Sequence, residues 1–475
     1  MGFSIPQGFT IPLGSYPIEA ADDTAKITPM VGGTIAPGIA TIHCLSTLGT
    51  CTSAESAANV ASRMEYIFVR HANSGHANYE APDLFITERA VAEVYSMIGW
   101  ATTTYALMQR YSPDNRYTPR ALVKARGFDY DNLASNMPRF NMIINMAIAK
   151  AGTLRVPKKF NYLARLFEAY TTLYADSSAT NKTQYYQFIP DGFWQYSGTS
   201  TGGTTLVYKA LSSYGTVQSD KSVLLTLDNL EKLFGEFLDA LMAEEDVGIM
   251  CGDILKAYGD EGCWHLGYVP MDLTVSDVHD ENVLLSIRNI VTTGDVVGSV
   301  VQSGGYLTES ISRTVALTDV ANCSTLPWLT PLVDLPIASP SADDVINATR
   351  YMFNAKFSNT DSEVTMTLTS YDIIIVTKIS IASTTSSGSS VYNSDTYYTQ
   401  GNEYAVAPAR LANVYAFNYM PSFTHIQFLQ TGETAWRVSN SYRMGEFDNV
   451  AALSMANIAA LNDACLLSEY GVPNK

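Results

Sequence analysis

The stretch EEDVGIMCGDILKAYGDEGCWHLGYVP (residues 244–270) holds six acidic residues, two cysteines and one histidine within 27 positions. Carboxylates and thiols at this density are typical of a metal site or an acid–base site. However, Cys251 and Cys263 lie twelve positions apart, and His265 follows two positions later. No common zinc site has this ligand spacing, and a fourth ligand such as Asp253 would still be needed. The spacing therefore favours a structural interpretation.

The same stretch has the pattern of an amphipathic helix that ends in a tight turn. Three acidic residues, 244–246, precede the helix, where the N-terminal end of the helix dipole favours negative charge. Gly259 is suited to the C-cap, and GDEG (residues 259–262) is suited to a turn. A buried cysteine behaves as a small apolar residue. We therefore expect one apolar side, formed by Met250, Cys251, Ile254, Leu255 and Tyr258.

The composition indicates a folded chain with a surface that is poor in charge. A length of 475 residues suggests two or three domains, and 47% hydrophobic residues exclude wholesale disorder. Charged residues make up 16%, against roughly 25% in typical soluble domains. Together with 29 tyrosines, this favours a surface that contacts other protein. An ordinary polar β protein has a similar composition, so that alternative stays open.

Charge is distributed in two opposite blocks. The net charge of −17 argues against a general basic tail for nucleic acid. Residues 228–281 contain fourteen acids and two bases. Their candidate members for a charged contact are Glu244, Glu245, Asp246, Asp253, Asp260 and Glu261. Residues 110–165 contain three acids and eleven bases, here called the basic block: Arg110, Arg116, Arg120, Lys124, Arg126, Arg139, Lys150, Arg155, Lys158, Lys159 and Arg165.

The two charge blocks have several possible roles. They can pair within the fold, pair between copies of the chain, face different compartments, or be solvated without a role. Six scattered cysteines predict reduced thiols rather than a disulfide scaffold. The chain has no long apolar run and no secretory signal pattern. We expect no membrane insertion, no cofactor and no bound metal.

The order of patterns along the chain predicts an α+β fold. Residues 1–60 are typical of an extended N-terminal arm, and 61–295 are mainly helical with a strand-like insertion at 177–223. Residues 296–440 are β-rich, with a polar exposed loop expected at 383–402. Residues 441–475 predict a C-terminal helix that packs back on the helical part.

Two helical patterns are specific enough to predict buried stripes. In residues 87–111 the stripe comprises Val91, Val94, Tyr95, Ile98, Tyr105 and Met108. In residues 228–259 a first helix buries Leu230, Leu233, Phe234, Phe237 and Leu241, and a break at 244–246 precedes a second helix. Asp228 and Glu231 resemble a capping box.

Three other groups of residues have some features of catalytic or metal sites. GTSTG (residues 198–202) matches the G-x-S-x-G nucleophile elbow, but the flanking residues predict a hairpin instead of a strand followed by a helix. The remaining two groups lack the spacing and the number of ligands of a zinc site. They are His71 with His76 and Glu80, and His43 with Cys44 and Cys51.

Three segments together have a recognisable pattern: EDVGIMCGDILKAYG (residues 245–259), LGYVPMDLTVSDVHDENVLLSIRN (266–289) and PKKFNYLARLFEAYTTLYADSSATNKTQYYQFIPDGFWQYS (157–197). They resemble the capsid proteins of picobirnaviruses and related small double-stranded RNA viruses. The similar region covers roughly residues 135–295, about a third of the chain. It consists of core and turn residues, so the resemblance concerns the fold first.

The resemblance implies a structural, non-enzymatic capsid protein of a virion. In that family, homodimers assemble in the host cytoplasm into an icosahedral shell of about 120 copies. Each subunit has a predominantly helical shell domain (here residues 61–295) and a β-rich projecting domain (here 296–440). The expected partners are other copies of the chain and, weakly bound, the enclosed double-stranded RNA and viral polymerase.

Under the capsid hypothesis, the basic block contacts residues 228–281 of a neighbouring subunit or faces RNA phosphates. Charge reversal at Arg155, Lys158 and Lys159 should then block particle formation. Two alternatives remain at this point. One is a cellular two-domain hydrolase that uses Ser200 or Asp253, and the other is a non-viral surface or adhesin-like protein.

Overall fold

The computed structural model describes most of the chain between residues 38 and 472. The described ranges are 38–73, 78–110, 118–177, 183–199, 203–218, 222–316, 332–359, 363–385, 388–393, 417–419, 423–430, 436–444 and 449–472. Residues 1–37 of the predicted N-terminal arm lie outside these ranges.

Helices dominate the described residues between 38 and 290 and return near the C-terminus. They are α1 (Ala57–Ala72), α2 (Ala81–Met108), α3 (Thr118–Ala125), α4 (Tyr130–Ser135), α5 (Met137–Ala151), α6 (Asn161–Thr171), α7 (Leu227–Met242), α8 (Glu245–Tyr258), α9 (Glu281–Ile287), α10 (Ala342–Thr349) and α11 (Met455–Glu469). Together with the strands they form the predicted α+β fold.

Two six-stranded sheets organise most of the strands. The first, from edge to edge, is β15 (Gly388–Asn393), β14 (Ile374–Thr385), β1 (Gly38–Ser46), β3 (Tyr185–Pro190), β2 (Leu173–Ala175) and β8 (Asp277–Val278). The second is antiparallel: β12 (Phe353–Asn359), β13 (Glu363–Ser370), β10 (Tyr306–Ala316), β9 (Val297–Ser303), β5 (Gly203–Ala210) and β4 (Gly192–Thr199). Three strand pairs complete the set: β6 (Thr216–Val217) with β7 (Val223–Leu224), β11 (Leu332–Asp334) with β18 (Val450–Ala452), and β16 (Phe423–Gln430) with β17 (Trp436–Met444).

Helix α2 is the centre of the structure. Helices α1, α3, α5, α6 and α7 and strands β4 and β5 contact it. It is buried around its whole circumference, so the prediction of a single buried stripe was too narrow. A helix that is apolar on every side is a core helix instead of a surface helix. Trp100 on α2 packs against Phe128, with ring centroids 4.4 Å apart.

Strand β1 lies in the described part of the predicted N-terminal arm (residues 1–60) and belongs to the first sheet. It pairs with β14 in antiparallel fashion and with β3 in parallel fashion, so it is an inner strand of the first sheet. Its run GIATIHCLS is buried along almost its whole length, as expected for a strand covered on both faces. Helix α1 then begins within the predicted arm, at Ala57.

The strands on the two sides of residue 296 share sheets. Strand β9 pairs with β5, and β14 pairs with β1. The β-rich segment is therefore joined to the helical part through both sheets in the described ranges. Part of the predicted loop at 383–402 is instead strand β15, which forms a hairpin with β14.

The paired helices α7 and α8 follow the predicted pattern closely. The five predicted apolar residues of α7 are all buried. The capping box is formed by Thr226 and Asn229, not by Asp228 and Glu231, because the N-cap lies two residues earlier than predicted. The C-terminal helix α11 contacts α1, α6 and α10, and Leu466 and Tyr470 belong to the main core.

Candidate functional site

Residues 262–264 of the stretch 244–270 contact residues 155–158 of the basic block. The backbone N–H of Lys158 donates to the carbonyl of Gly262 (2.8 Å), and that of Trp264 donates to the carbonyl of Val156 (2.9 Å). The guanidinium of Arg155 lies 3.9 Å from the carboxylate of Asp260. The ammonium of Lys158 lies 5.9 Å from the centroid of the Trp264 ring. The two segments are thus joined within one chain by backbone and charge together.

A second set of contacts joins α5 to α7. Arg139 on α5 contacts the carboxylates of Asp228 (2.6 Å) and Glu231 (2.7 Å) on α7. Further along the same helices, Lys150 lies 3.8 Å from Asp239. These side chains are substantially exposed, and ion pairs of this kind contribute little to stability. Their main consequence is that part of the acidic block neutralises part of the basic block inside the subunit.

Lys159 pairs with an acid that the sequence analysis did not include. Its ammonium contacts the buried carboxylate of Glu65, which also accepts a hydrogen bond from the hydroxyl of Tyr258 (2.7 Å). Burial, and then the neighbouring Glu65 carboxylate, raise the pKa of Glu88 well above its usual range. Reversing the charge of Lys159 would place three acids around one buried position. The proposed triple reversal would therefore disrupt folding before it tested assembly.

Arg165 is the centre of another buried charge cluster. Its guanidinium donates to both oxygens of Asp372 (2.8 and 2.7 Å) and lies 3.0 Å from Glu469. Burial alone would raise the pKa of Asp372, but the attraction of Arg165 lowers it below its ordinary value. The cluster connects α6, the turn before β14 and the end of α11. Its role is to hold distant segments together.

Arg126 contradicts the expectation that the basic block lies on a contact surface. Its side chain is fully buried and donates to the Thr104 hydroxyl (3.0 Å) and to the carbonyls of Trp100 (3.3 Å) and Tyr170 (2.6 Å). Burial lowers the pKa of Arg126 to about 9. This residue can face neither RNA nor another subunit.

The remaining bases are distributed over the same half of the chain. Arg110 contacts Asp277 at 2.9 Å, and Arg120 contacts Asp131 at 2.6 Å. Lys124 lines a cavity beside Asp191. Arg116 lies outside the described residues. Between described residues, at least seven members of the basic block form ion pairs within the subunit: Arg110, Arg120, Arg139, Lys150, Arg155, Lys159 and Arg165.

Of the six candidate acids, Asp260 lies within ion-pair distance of the basic block in the described structure, at Arg155. Glu244, Glu245 and Asp246 are exposed at the start of α8, and Glu261 is exposed in the following turn. Asp253 accepts a hydrogen bond from the Tyr79 hydroxyl (2.7 Å). The sequence thus identified the segment that carries the charge but not the individual partners.

The prediction that Cys251 lies on the apolar side of its helix is confirmed, and the second cysteine of residues 244–270 is a core residue as well. Cys251 and Cys263 are both buried, and burial raises the pKa of Cys251 to about 11. A thiol with this pKa is protonated at neutral pH and is a poor nucleophile. Among the described residues, no group of three His, Cys, Asp or Glu side chains could hold a metal ion.

A buried charge network on α2 was missed by the sequence analysis. The guanidinium of Arg89 lies 3.2 Å from Glu309 and 3.9 Å from Glu93, and it donates to the carbonyl of Ser46 (2.9 Å). Burial raises the pKa of Glu93 to about 7, although Arg89 opposes this. The available signal was the run TERAVAE (residues 87–93), which places three charges in an otherwise apolar helix.

The strands on the two sides of the G-x-S-x-G match pair in antiparallel fashion, as the predicted hairpin requires. Thr199 at the end of β4 pairs with Gly203 at the start of β5. A nucleophile elbow requires a helix after the serine, and here a strand follows. Ser200 and His76 lie outside the described residues.

Comparison with known proteins identifies the family. Residues 1–426 match the family model described as Picobirnavirus, Capsid protein. The chain belongs to the picobirnavirus capsid protein family. As a capsid protein it has a structural role in the virion, and membership argues against the hydrolase and adhesin alternatives.

The chain is also similar to one curated protein in sequence and to one solved structure in fold. The capsid protein is 30% identical over 291 residues to the capsid protein precursor of human picobirnavirus (strain Human/Thailand/Hy005102/-), and this match covers 60% of the chain. The matched region spans about half (51%) of that relative's length. The fold is similar to the X-ray crystallographic structure of the picobirnavirus capsid, with a TM-score of 0.75 at 23% identity. That match covers 91% of this chain and 87% of the other.

The described surface of the capsid protein carries several large apolar side chains. On α1, Ile67 is 66% exposed, with Met64 and Phe68 beside it. On α5, Met142 and Met146 are about half exposed. The loop that follows α8 carries the exposed residues Tyr268 and Met271. Hydrogen bonds between Asn145 and the backbone of Val269 join this loop to α5. None of the helices in the described ranges has the length and apolarity needed to cross a membrane.

Proposed function

We propose that this capsid protein assembles as homodimers into an icosahedral shell of about 120 copies. The observation that carries the proposal is the exposure of large apolar side chains at Ile67 on α1, and at Met146 and Tyr268 on α5 and the loop that is hydrogen-bonded to it. Exposed apolar patches on a folded protein mark contacts with other proteins. In a protein of a capsid family, the partner that fits every surface is another copy of the chain.

We propose further that the shell encloses double-stranded RNA and the viral polymerase without binding them tightly. The internal ion pairs of the basic block support this, because a base that is neutralised within the subunit is less available to phosphates. Weak contact would let the duplex move past the polymerase. We also propose that residues 296–440 form a projecting domain and that residues 1–60 form an N-terminal arm, apart from the strands of these ranges that belong to the two sheets.

Assembly can be tested on the recombinant chain by size-exclusion chromatography and negative-stain imaging. Closed particles are the expected result, in host cytoplasm and after purification. A monomer under every ionic strength, pH and concentration tested would refute the assembly proposal.

The RNA proposal has a separate test. Dissociated subunits should bind duplex RNA weakly at physiological salt, with a shallow dependence of affinity on salt concentration. Tight binding with a steep salt dependence would contradict weak contact, whatever the outcome of the assembly experiment.

A further inference from the structure

Helix α8 carries a row of four symmetrically spaced residues on its exposed face. Glu245, Ile249, Gly252 and Lys256 are all exposed to solvent. They are spaced four, three and four residues apart, which places them on one side of an α-helix. Read from either end, the row has the same spacing, with an acid at one end and a base at the other.

We propose that α8 packs in antiparallel orientation against α8 of a second copy, across a twofold axis midway between Ile249 and Gly252. In this register Glu245 of each copy lies opposite Lys256 of the other, and Ile249 of each copy lies opposite Gly252 of the other. Both contacts occur twice, as a twofold interface requires. This inference rests on the proposed homodimer and names the surface that forms it.

The glycines of α8 are explained by such a neighbour. A Cβ atom added to Gly248 or Gly252 would have no other atom within 4 Å. Neither position has a positive φ, so neither needs glycine for its backbone conformation. Glycine in a helix interior is destabilising relative to alanine. A close approach of another chain, with Ile249 packed on the bare backbone at Gly252, accounts for their presence.

The charges of the row are available for such a contact. In the described part of the chain, neither Glu245 nor Lys256 takes part in an ion pair. Ile249 is 42% exposed between them. Helix α1 packs against α8, and its exposed Ile67 and Phe68 can extend the apolar contact at its edge. A second copy satisfies the charges and the apolar side chains together.

Cysteine cross-linking tests the register directly. The variant with Ile249→Cys and Gly252→Cys should form a covalent dimer on mild oxidation, because the cysteine at position 249 of each copy lies opposite the cysteine at position 252 of the other copy. The matched control has Lys232→Cys and Gly235→Cys, with the same spacing on α7, and should form no covalent dimer under the same conditions. Equal dimer yields from the two variants, or no dimer from the first, would overturn the proposed register.

Charge substitution tests the ion pairs. Glu245→Lys and Lys256→Glu should each weaken dimerisation roughly tenfold in sedimentation measurements, because two attractive pairs become repulsive. The double variant should recover, since both pairs then have opposite charges again. Circular dichroism reports whether each variant keeps its helices. Singles that bind as tightly as the natural chain, or a folded double variant that does not recover, would contradict the proposal.

The two proposals fail in different ways. If the natural chain forms closed particles but the variant with Ile249→Cys and Gly252→Cys forms no covalent dimer, the α8 contact is rejected and the assembly proposal stays intact. Absence of both dimers and particles from the natural chain would reject the assembly proposal itself.

Discussion

Replacing Arg165 by methionine should destabilise the subunit strongly and in a pH-dependent manner. Arg165→Met replaces the aliphatic part of the arginine side chain with an unbranched apolar one and removes the charged guanidinium. The substitution leaves Asp372 and Glu469 together in a largely buried position, where their side chains are 6% and 12% exposed. The nearest remaining cation is Arg350, with 3.9 Å between its Nε atom and Asp372.

The magnitude follows from the loss of one partner of a buried ion pair, which costs about 3–5 kcal/mol. Because Arg350 compensates in part, we expect a value of about 3 kcal/mol near pH 7.5. In the natural protein Arg165 lowers the pKa of Asp372. The stability that this ion pair contributes is therefore present above the ordinary pKa of an aspartate, and it is lost only as the pH falls through the lowered pKa of Asp372. In the variant, burial raises the pKa of both carboxyls, and protonation then removes the repulsion.

The free-energy difference between natural protein and variant should therefore shrink as the pH falls from about 7.5 to about 5. Urea unfolding of unassembled subunits at the two pH values measures it. A control, Arg165→Met combined with Asp372→Asn, should recover much of the loss at pH 7.5, because one of the two carboxylates is gone. A loss below about 1 kcal/mol, or one that is the same at both pH values, would refute a buried charge cluster at this position.

Three further predictions concern other charged and glycine positions. Because the folded pKa of Glu93 is raised to about 7, its contribution to stability is present at low pH and lost as the pH rises through 7. Glu93→Gln should gain about 2–3 kcal/mol relative to the natural protein between pH 5 and pH 8 in urea unfolding. Arg139→Ala should change the midpoint of thermal unfolding little, since its ion pairs are exposed; a large loss would contradict this. Gly252→Ala should stabilise the subunit by about 1 kcal/mol, a gain that Gly235→Ala should match.

Helices α7 and α8 could be predicted because the sequence pattern that specifies each helix is local. The apolar residues of α7 recur at helical spacing, and all five predicted positions are buried. The assignment of Cys251 to the core followed from the same periodicity. The hairpin at Thr199–Gly203 followed from turn residues between two strand patterns. In each case residues close in sequence determine the conformation.

Positions that depend on distant segments could not be predicted. Whether GIATIHCLS is an arm or an inner strand depends on β14, which lies more than 300 residues away in sequence. Its apolar character is compatible with lying on a neighbouring subunit or in its own core. The partner of Arg165 is likewise 207 residues away.

The α+β class, the main helices, the two charge blocks and the likeness to a capsid family can all be recognised in the sequence. They follow from composition, from periodicity and from local caps and turns. The folded structure was needed to show which charges meet, that Arg126 is buried, and that strands from both halves share two sheets. Ion pairing and burial depend on the distance between atoms from remote segments, and the order of residues does not specify that distance until the chain has folded.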